Sequence, residues 1–156
     1  MAAGLREQAR RVLDGQGYFL VLLILSVLSY FLLPAPVILR PPFTGAGVIF
    51  IAAGLLLASR CRALFLQHRT TMSPYQSPVA LITAGPFGFS RNPAYLSMAM
   101  ILFGSAVLMG TVLPFAFTIL FIAVIEALFI PDEERMLEAA FGGEYREYRQ
   151  RVRRWI

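Results

Sequence analysis

A chain of 156 residues, 58% of them hydrophobic, with a mean hydropathy of +0.67, is too apolar for an ordinary soluble domain and too short for more than one domain. Its 14 basic residues are all arginine, the net charge is +5, and no nucleic-acid motif accompanies them, so the charge points to membrane topology and anionic headgroups. A single cysteine, Cys61, excludes an intrachain disulfide and reads as a packing residue, and a single histidine, His68, supplies no metal-ligand set.

Gly4 to Asp14 sets Leu5, Ala9, Val12 and Leu13 against Arg6, Glu7, Arg10 and Arg11, the pattern of a short helix lying on a bilayer surface. No small-residue cleavage site follows cleanly, so the next apolar run reads as an uncleaved first span, Tyr18 to Leu33, stopped by Pro34 and Pro36. A connector through Arg40, Pro41 and Pro42 leads to a second span, Phe43 to Ala58, in which Gly45, Gly47 and Gly54 permit close helix approach. Arg60 to Ala84 is the longest polar interval, with Arg60, Arg62, Gln67, His68, Arg69 and a turn at Thr70 to Pro74.

The segment GPFGFSRNPAYL, Gly85 to Leu96, carries the soluble chain into an apolar helix. Pro86 fixes its own φ and biases Gly85 toward an extended conformation, while Gly88 supplies freedom for a turn. Asn92-Pro93 suits an N-cap followed by a first helical turn, which gathers Arg91, an amide, unpaired helix N–H groups and the Tyr95 phenol at the membrane boundary.

Ala94 to Ile130 carries no charge except Glu126. As one helix at about 1.5 Å per residue it would reach roughly 55 Å, nearly twice a bilayer core, so it folds back as two spans. Gly110, Thr111 and Pro114 mark the reversal between spans near Tyr95 to Met109 and Phe115 to Ile130. From Asp132 the pattern becomes amphipathic: Leu137, Phe141, Tyr145, Tyr148 and Val152 recur at helical spacing, and Gly142-Gly143 divides the stretch into two short helices. With both termini inside, every arginine but Arg40 falls on the cytoplasmic side, which favours four spans in an all-α membrane bundle whose amphipathic end covers the cytoplasmic face. Bacterial inner membrane and endomembrane both suit that topology.

GPFGFSRNPAYL resembles the Gly-Pro-aromatic-x-aromatic-x-Arg-(His/Asn)-Pro-x-Tyr segment of the isoprenylcysteine carboxyl methyltransferase and phospholipid methyltransferase superfamily. Glu133-Glu134, Leu137, FGGEY (Phe141 to Tyr145), Tyr148 and VRRWI (Val152 to Ile156) resemble that family's second motif in order and spacing, and Thr71, Pro74 and Leu81 fit upstream. The likeness runs from about Thr70 to Ile156. It implies methyl transfer from S-adenosyl-L-methionine to a lipophilic acceptor, either an isoprenylcysteine-like carboxylate, a phospholipid-type amine or another amphiphile, with membrane lipids as the surroundings and no nucleic acid.

The resemblance places Gly85, Arg91, Asn92, Pro93, Tyr95, Leu96, Glu133, Glu134, Tyr145 and Tyr148 about the cofactor. Arg91 and the following helix N-terminus would receive its carboxylate, Glu133 or Glu134 its ribose hydroxyls or ammonium, and Tyr95, Tyr145 or Tyr148 its adenine. Arg91 and Glu126 are the catalytic candidates; Glu126 stands two helical turns before Glu133, so the two are expected to share a face. Against these stand a membrane anchor for Arg91, an aromatic-belt place for Tyr95, snorkelling or pairing with an arginine for Glu126, first-turn helix charges for Glu133 and Glu134, and core packing for the tyrosine stripe. His68 reads as a solvated loop residue rather than a base. Asn92 stands where many members have His, Gly88 at a commonly basic position, and Ser97 and Arg153 where Gly and Pro are usual. A nicotinamide-dependent reductase of sterol-reductase type and a non-catalytic membrane scaffold are the competing classes.

Overall fold

The computed structural model describes residues 14–68 and 79–156, and over these the chain is a helical membrane bundle without strands. The expected surface helix at Gly4 to Asp14 and the turn at Thr70 to Pro74 lie essentially outside that range. Helix α1, Gly15–Leu32, starts at Asp14, whose carboxylate accepts the Gly17 N–H at 2.7 Å. Helix α2, Gly47–Gln67, follows a 3₁₀ turn at Phe43–Ala46. Helix α3, Pro93–Met109, is followed by α4, Val112–Val124, a π-turn at Ile125–Phe129, α5, Ile130–Phe141, and α6, Gly143–Arg151. Gly15–Leu32, Phe43–Gln67 and Val112–Phe141 are long and apolar enough to cross a membrane, and Pro93–Met109 is a shorter apolar helix.

Two boundaries differ from expectation. The second span does not end at Ala58: α2 runs to Gln67 and carries Arg60 and Arg62. Nothing in Ser59–Gln67 breaks a helix, and arginine side chains can extend along apolar surface to reach water, so the fall in hydropathy after Ala58 does not end the helix. The last span does not stop at Ile130 either, because the helix continues through the π-turn to Phe141. Pro131, in the first turn of α5, cannot donate a backbone hydrogen bond, and the widened turn stands directly before it. The division at Gly142, with φ +52°, agrees with the sequence.

Helix α2 buries only Gly47, Gly54 and Cys61, one residue every two turns. A Cβ on Gly104 of α3 would stand 2.6 Å from the Gly47 carbonyl oxygen, and one on Gly54 would stand 2.8 Å from that of Ser97. The two backbones therefore meet directly, as small residues allow between helices in lipid. Gly45, expected in this seam, faces open space. Large side chains such as Phe31, Ile49 and Ile119 remain exposed, as suits a lipid-facing surface.

At the far side of the seam Gly110, with φ +67°, turns α3 into α4, and its carbonyl accepts the N–H groups of Ile38 and Leu39 at 2.8 and 3.0 Å. Arg40 stands at this end. At the other end Asp14, the loop before α3 and the start of α5 come together around Tyr95, packed on a core of Leu22, Ala99, Leu102, Phe121, Ile125, Phe129 and Ile130. The sequence-derived motifs meet there.

Candidate functional site

The loop into α3 is built differently from its sequence expectation. Gly85, not Gly88, takes the left-handed backbone, with φ +59°, and a Cβ on Gly88 would meet only the Thr83 carbonyl at an ordinary 3.7 Å. Ala84 is extended, so the reversal into the 3₁₀ turn Gly85–Gly88 falls on the first residue without a side chain. Tyr148 of α6 holds this turn from below: its hydroxyl donates to the Phe87 carbonyl at 2.8 Å and approaches that of Ser90 at 3.5 Å. Burial, reinforced by the neighbouring Tyr145, pushes the Tyr148 phenol well above its usual range, so it stays a donor. Tyr148→Phe is expected to cost about 1–2 kcal/mol, the loss from leaving a buried carbonyl without its partner, measured as unfolding in detergent.

Asn92 begins α3 but does not cap it with its side chain. Its Nδ2 instead donates to the Arg154 carbonyl at 3.0 Å, its backbone N–H donates to Ser90 Oγ at 3.2 Å, and Arg91 N–H donates to the Arg153 carbonyl at 2.9 Å. The side chain is drawn away from the helix by the chain's last residues, and the first N–H groups of α3 keep no side-chain acceptor. Pro93 is fully buried behind them, and Leu96, half-buried, contributes packing and its N–H bond to Asn92.

Arg91 reaches from this loop to α5. Its Nη1 lies 3.0 Å from Glu134 Oε1 and 3.5 Å from the buried Tyr145 hydroxyl, and the side chain is 10% exposed. Its Nε is buried and has no hydrogen-bond partner among the described residues. Such a donor is costly to strand and is the kind of group an anionic ligand satisfies. Burial first, then the Glu134 charge, pushes the Tyr145 phenol up, so it too remains protonated.

The two adjacent glutamates point to different partners. Glu133 accepts from the Tyr95 hydroxyl at 2.5 Å, whereas Glu134 is gripped by Arg154, with Nε to Oε1 at 3.1 Å and Nη2 to Oε2 at 2.7 Å. Arg154 Nη1 also donates to Glu126 Oε1 at 2.5 Å, and the Trp155 indole donates to Glu126 Oε2 at 2.8 Å. Glu126 therefore shares its partner with Glu134 and not with Glu133, contrary to the two-turn expectation. Glu126 lies within the π-turn, which adds one residue to the register before Glu134, so residues eight apart take the relation that residues seven apart have on a regular helix.

Gly85, Arg91, Asn92, Pro93, Tyr95, Leu96, Glu126, Glu133, Glu134, Tyr145 and Tyr148 all fall at this one end. His68 lies exposed just past α2. Sequence reasoning missed Ser90, Arg154 and Trp155 as site residues. VRRWI was visible as a motif, but an arginine among so many others is indistinguishable from a topology signal until its partners are seen.

The donor set suits a ligand that carries a carboxylate together with hydroxyls or an ammonium: a buried guanidinium Nε and a helix N-terminus without a side-chain cap for the carboxylate, with the Tyr95–Glu133 pair for the hydroxyls or ammonium. A family profile, phospholipid methyltransferase, matches residues 43–144, which takes in α2, the Arg91 loop, α3 to α5 and the Glu133-Glu134 pair. A protein of Haemophilus influenzae named only as an uncharacterized protein is 45% identical over 62 residues, which is 40% of this chain and 98% of that one. No solved structure matches the chain. With the profile spanning most of its length, including the Arg91 loop and the Glu133-Glu134 pair, the chain belongs to the phospholipid methyltransferase family.

Proposed function

We propose that this protein transfers a methyl group from S-adenosyl-L-methionine to a lipophilic or amphiphilic acceptor at the membrane, an isoprenylcysteine-like carboxylate or a phospholipid-type amine. It acts as a single domain over residues 1–156, with four crossings formed by α1, α2, α3 and the α4 end of Val112–Phe141. Both termini and the motif cluster face the cytoplasm. The observation that supports the orientation is that Arg40 stands at the Gly110 end, while the other arginines of described position belong to α2's last turns, the Arg91 loop, α5, α6 and the residues after it.

The single observation that carries the site is Arg91 Nε, buried without a partner beside the uncapped N-terminus of α3. Arg91 and those N–H groups receive the cofactor carboxylate, Tyr95 and Glu133 its hydroxyls or ammonium, and Tyr145 flanks it. Gly85, Asn92, Pro93, Leu96 and Tyr148 shape the loop, and Glu126 and Glu134 hold the arginines. When bound, the cofactor supplies a methyl carbon already activated by its sulfonium. The chain's own residues then orient the acceptor and keep water out; a carboxylate attacks as it stands, whereas an ammonium must first give its proton to a base.

The test is calorimetric titration of the detergent-purified full chain with S-adenosylhomocysteine, beside the nicotinamide dinucleotides. Binding of the homocysteine compound alone is expected, and Arg91→Ala should weaken it about 30- to 100-fold, or about 2–3 kcal/mol. No binding by folded protein, or an affinity unchanged in Arg91→Ala, would sink the proposal.

A further inference from the structure

Arg154 has no direct place in the cofactor contacts proposed above, yet its contacts determine how Arg91 is presented. Its three nitrogens each donate to one of three oxygens of two glutamates, Glu134 on both oxygens and Glu126 on one. A bidentate grip of this kind fixes the plane of the Glu134 carboxylate. Oε1 of the same carboxylate lies 3.0 Å from Arg91 Nη1. Arg91 is thereby held by one corner of its guanidinium, which leaves Nε unpartnered.

The backbone at the same residues closes the arrangement. The carbonyls of Arg153 and Arg154 accept from Arg91 N–H and Asn92 Nδ2, and Ser90 Oγ donates to the Arg154 carbonyl at 3.4 Å. Trp155 packs against the hydrophobic core and donates to Glu126, which pins the segment to the bundle. The π-turn makes the double grip possible, because on a regular α-helix Glu126 and Glu134 would point about 80° apart, eight steps of about 100° each.

We propose that Arg154 is a positioning residue that acts through Glu134 to orient Arg91, so that residues 153–155 form a strap setting the cofactor-binding edge of the site. The cofactor identity rests on the reading above, but the positioning does not. Lysine cannot replace it, since an ammonium presents no planar fork to a carboxylate and cannot span both glutamates in this geometry.

The experiment has two arms, both on the full chain in detergent. In the first, Arg154→Ala is expected to weaken S-adenosylhomocysteine binding at least tenfold and Arg154→Lys to restore only part of it. In an Arg91→Ala background, Arg154→Ala should add less than about twofold, because its effect passes through Arg91. A purely structural role predicts the same factor in both backgrounds, and that result, or unchanged affinity in Arg154→Ala, overturns the proposal.

The second arm follows the Arg91 Nε–H resonance by NMR of arginine-labelled protein, with resonances of the α2–α3 seam as the reference. It is expected to be ordered in the wild type and mobile in Arg154→Ala, or in Arg154→Lys should the alanine variant not fold. An Arg91 Nε–H as ordered in the variant as in the wild type overturns the positioning. Loss of S-adenosylhomocysteine binding by the wild type, with this arm behaving as expected, overturns the cofactor reading alone.

Discussion

Glu134→Ala is expected to destabilise the folded protein by about 3 kcal/mol and to abolish S-adenosylhomocysteine binding. Glu134 is buried and shared by two guanidiniums, so its removal takes from Arg91 its carboxylate partner and leaves Arg154 only Glu126. Breaking a buried pair typically costs about 3–5 kcal/mol, but Arg154, 34% exposed, can turn toward water, while Arg91, 10% exposed, cannot. The lower end is therefore the expected figure, and most of it falls on Arg91. Adding Arg154→Met to Glu134→Ala should cost less than the two changes summed, since the first has already removed two of the three side-chain bonds that Arg154 makes, leaving the one to Glu126. Unfolding of the four variants in a detergent series measures this, and additive effects would mean that the three side chains do not form one network.

The second large effect is expected in the α2–α3 seam. Gly104→Val places a side chain where its Cβ alone would stand 2.6 Å from the Gly47 carbonyl oxygen and 2.9 Å from the Ile51 nitrogen. Neither obstacle is a side chain able to swing away, so the helices must separate, at a cost of about 3 kcal/mol or more for overpacking a close helix contact. Gly45→Ala is the matched control: a Cβ there meets nothing within 4 Å, and stability should stay within about 0.5 kcal/mol. Equal midpoints for the two variants in thermal unfolding would remove the close seam from the fold.

The same contrast separates what can be read locally from what cannot. Gly47 and Gly54 lie seven residues apart on one helix face, so the sequence identifies a stripe of small residues; that Gly45 faces away follows from the 3₁₀ turn at Phe43–Ala46, which breaks the α-helical register before α2 begins. The reversal at Gly110 and the division at Gly142 were legible because each requires positive φ, a property of the residue itself. Gly85 and Gly88 show the limit: both are glycines in one turn, and which of them takes the left-handed backbone depends on how Tyr148 and the loop carbonyls are arranged.

Hydropathy and turn residues, both local properties, determined by themselves that this chain is a helical membrane bundle with its Arg-Asn-Pro and Glu-Glu motifs beyond the apolar segments. The resemblance of those motifs pointed to the methyltransferase family before any geometry was known. Only the tertiary structure decided how the charges pair. A one-residue gain in the π-turn sends Glu133 to Tyr95 and aligns Glu134 with Glu126, and Arg154, twenty residues beyond Glu134, gathers both. Sequence spacing assumes a uniform 3.6-residue turn and gives no distance between segments far apart in the chain. Ion pairing in a cluster that links them is decided by where those segments come to rest.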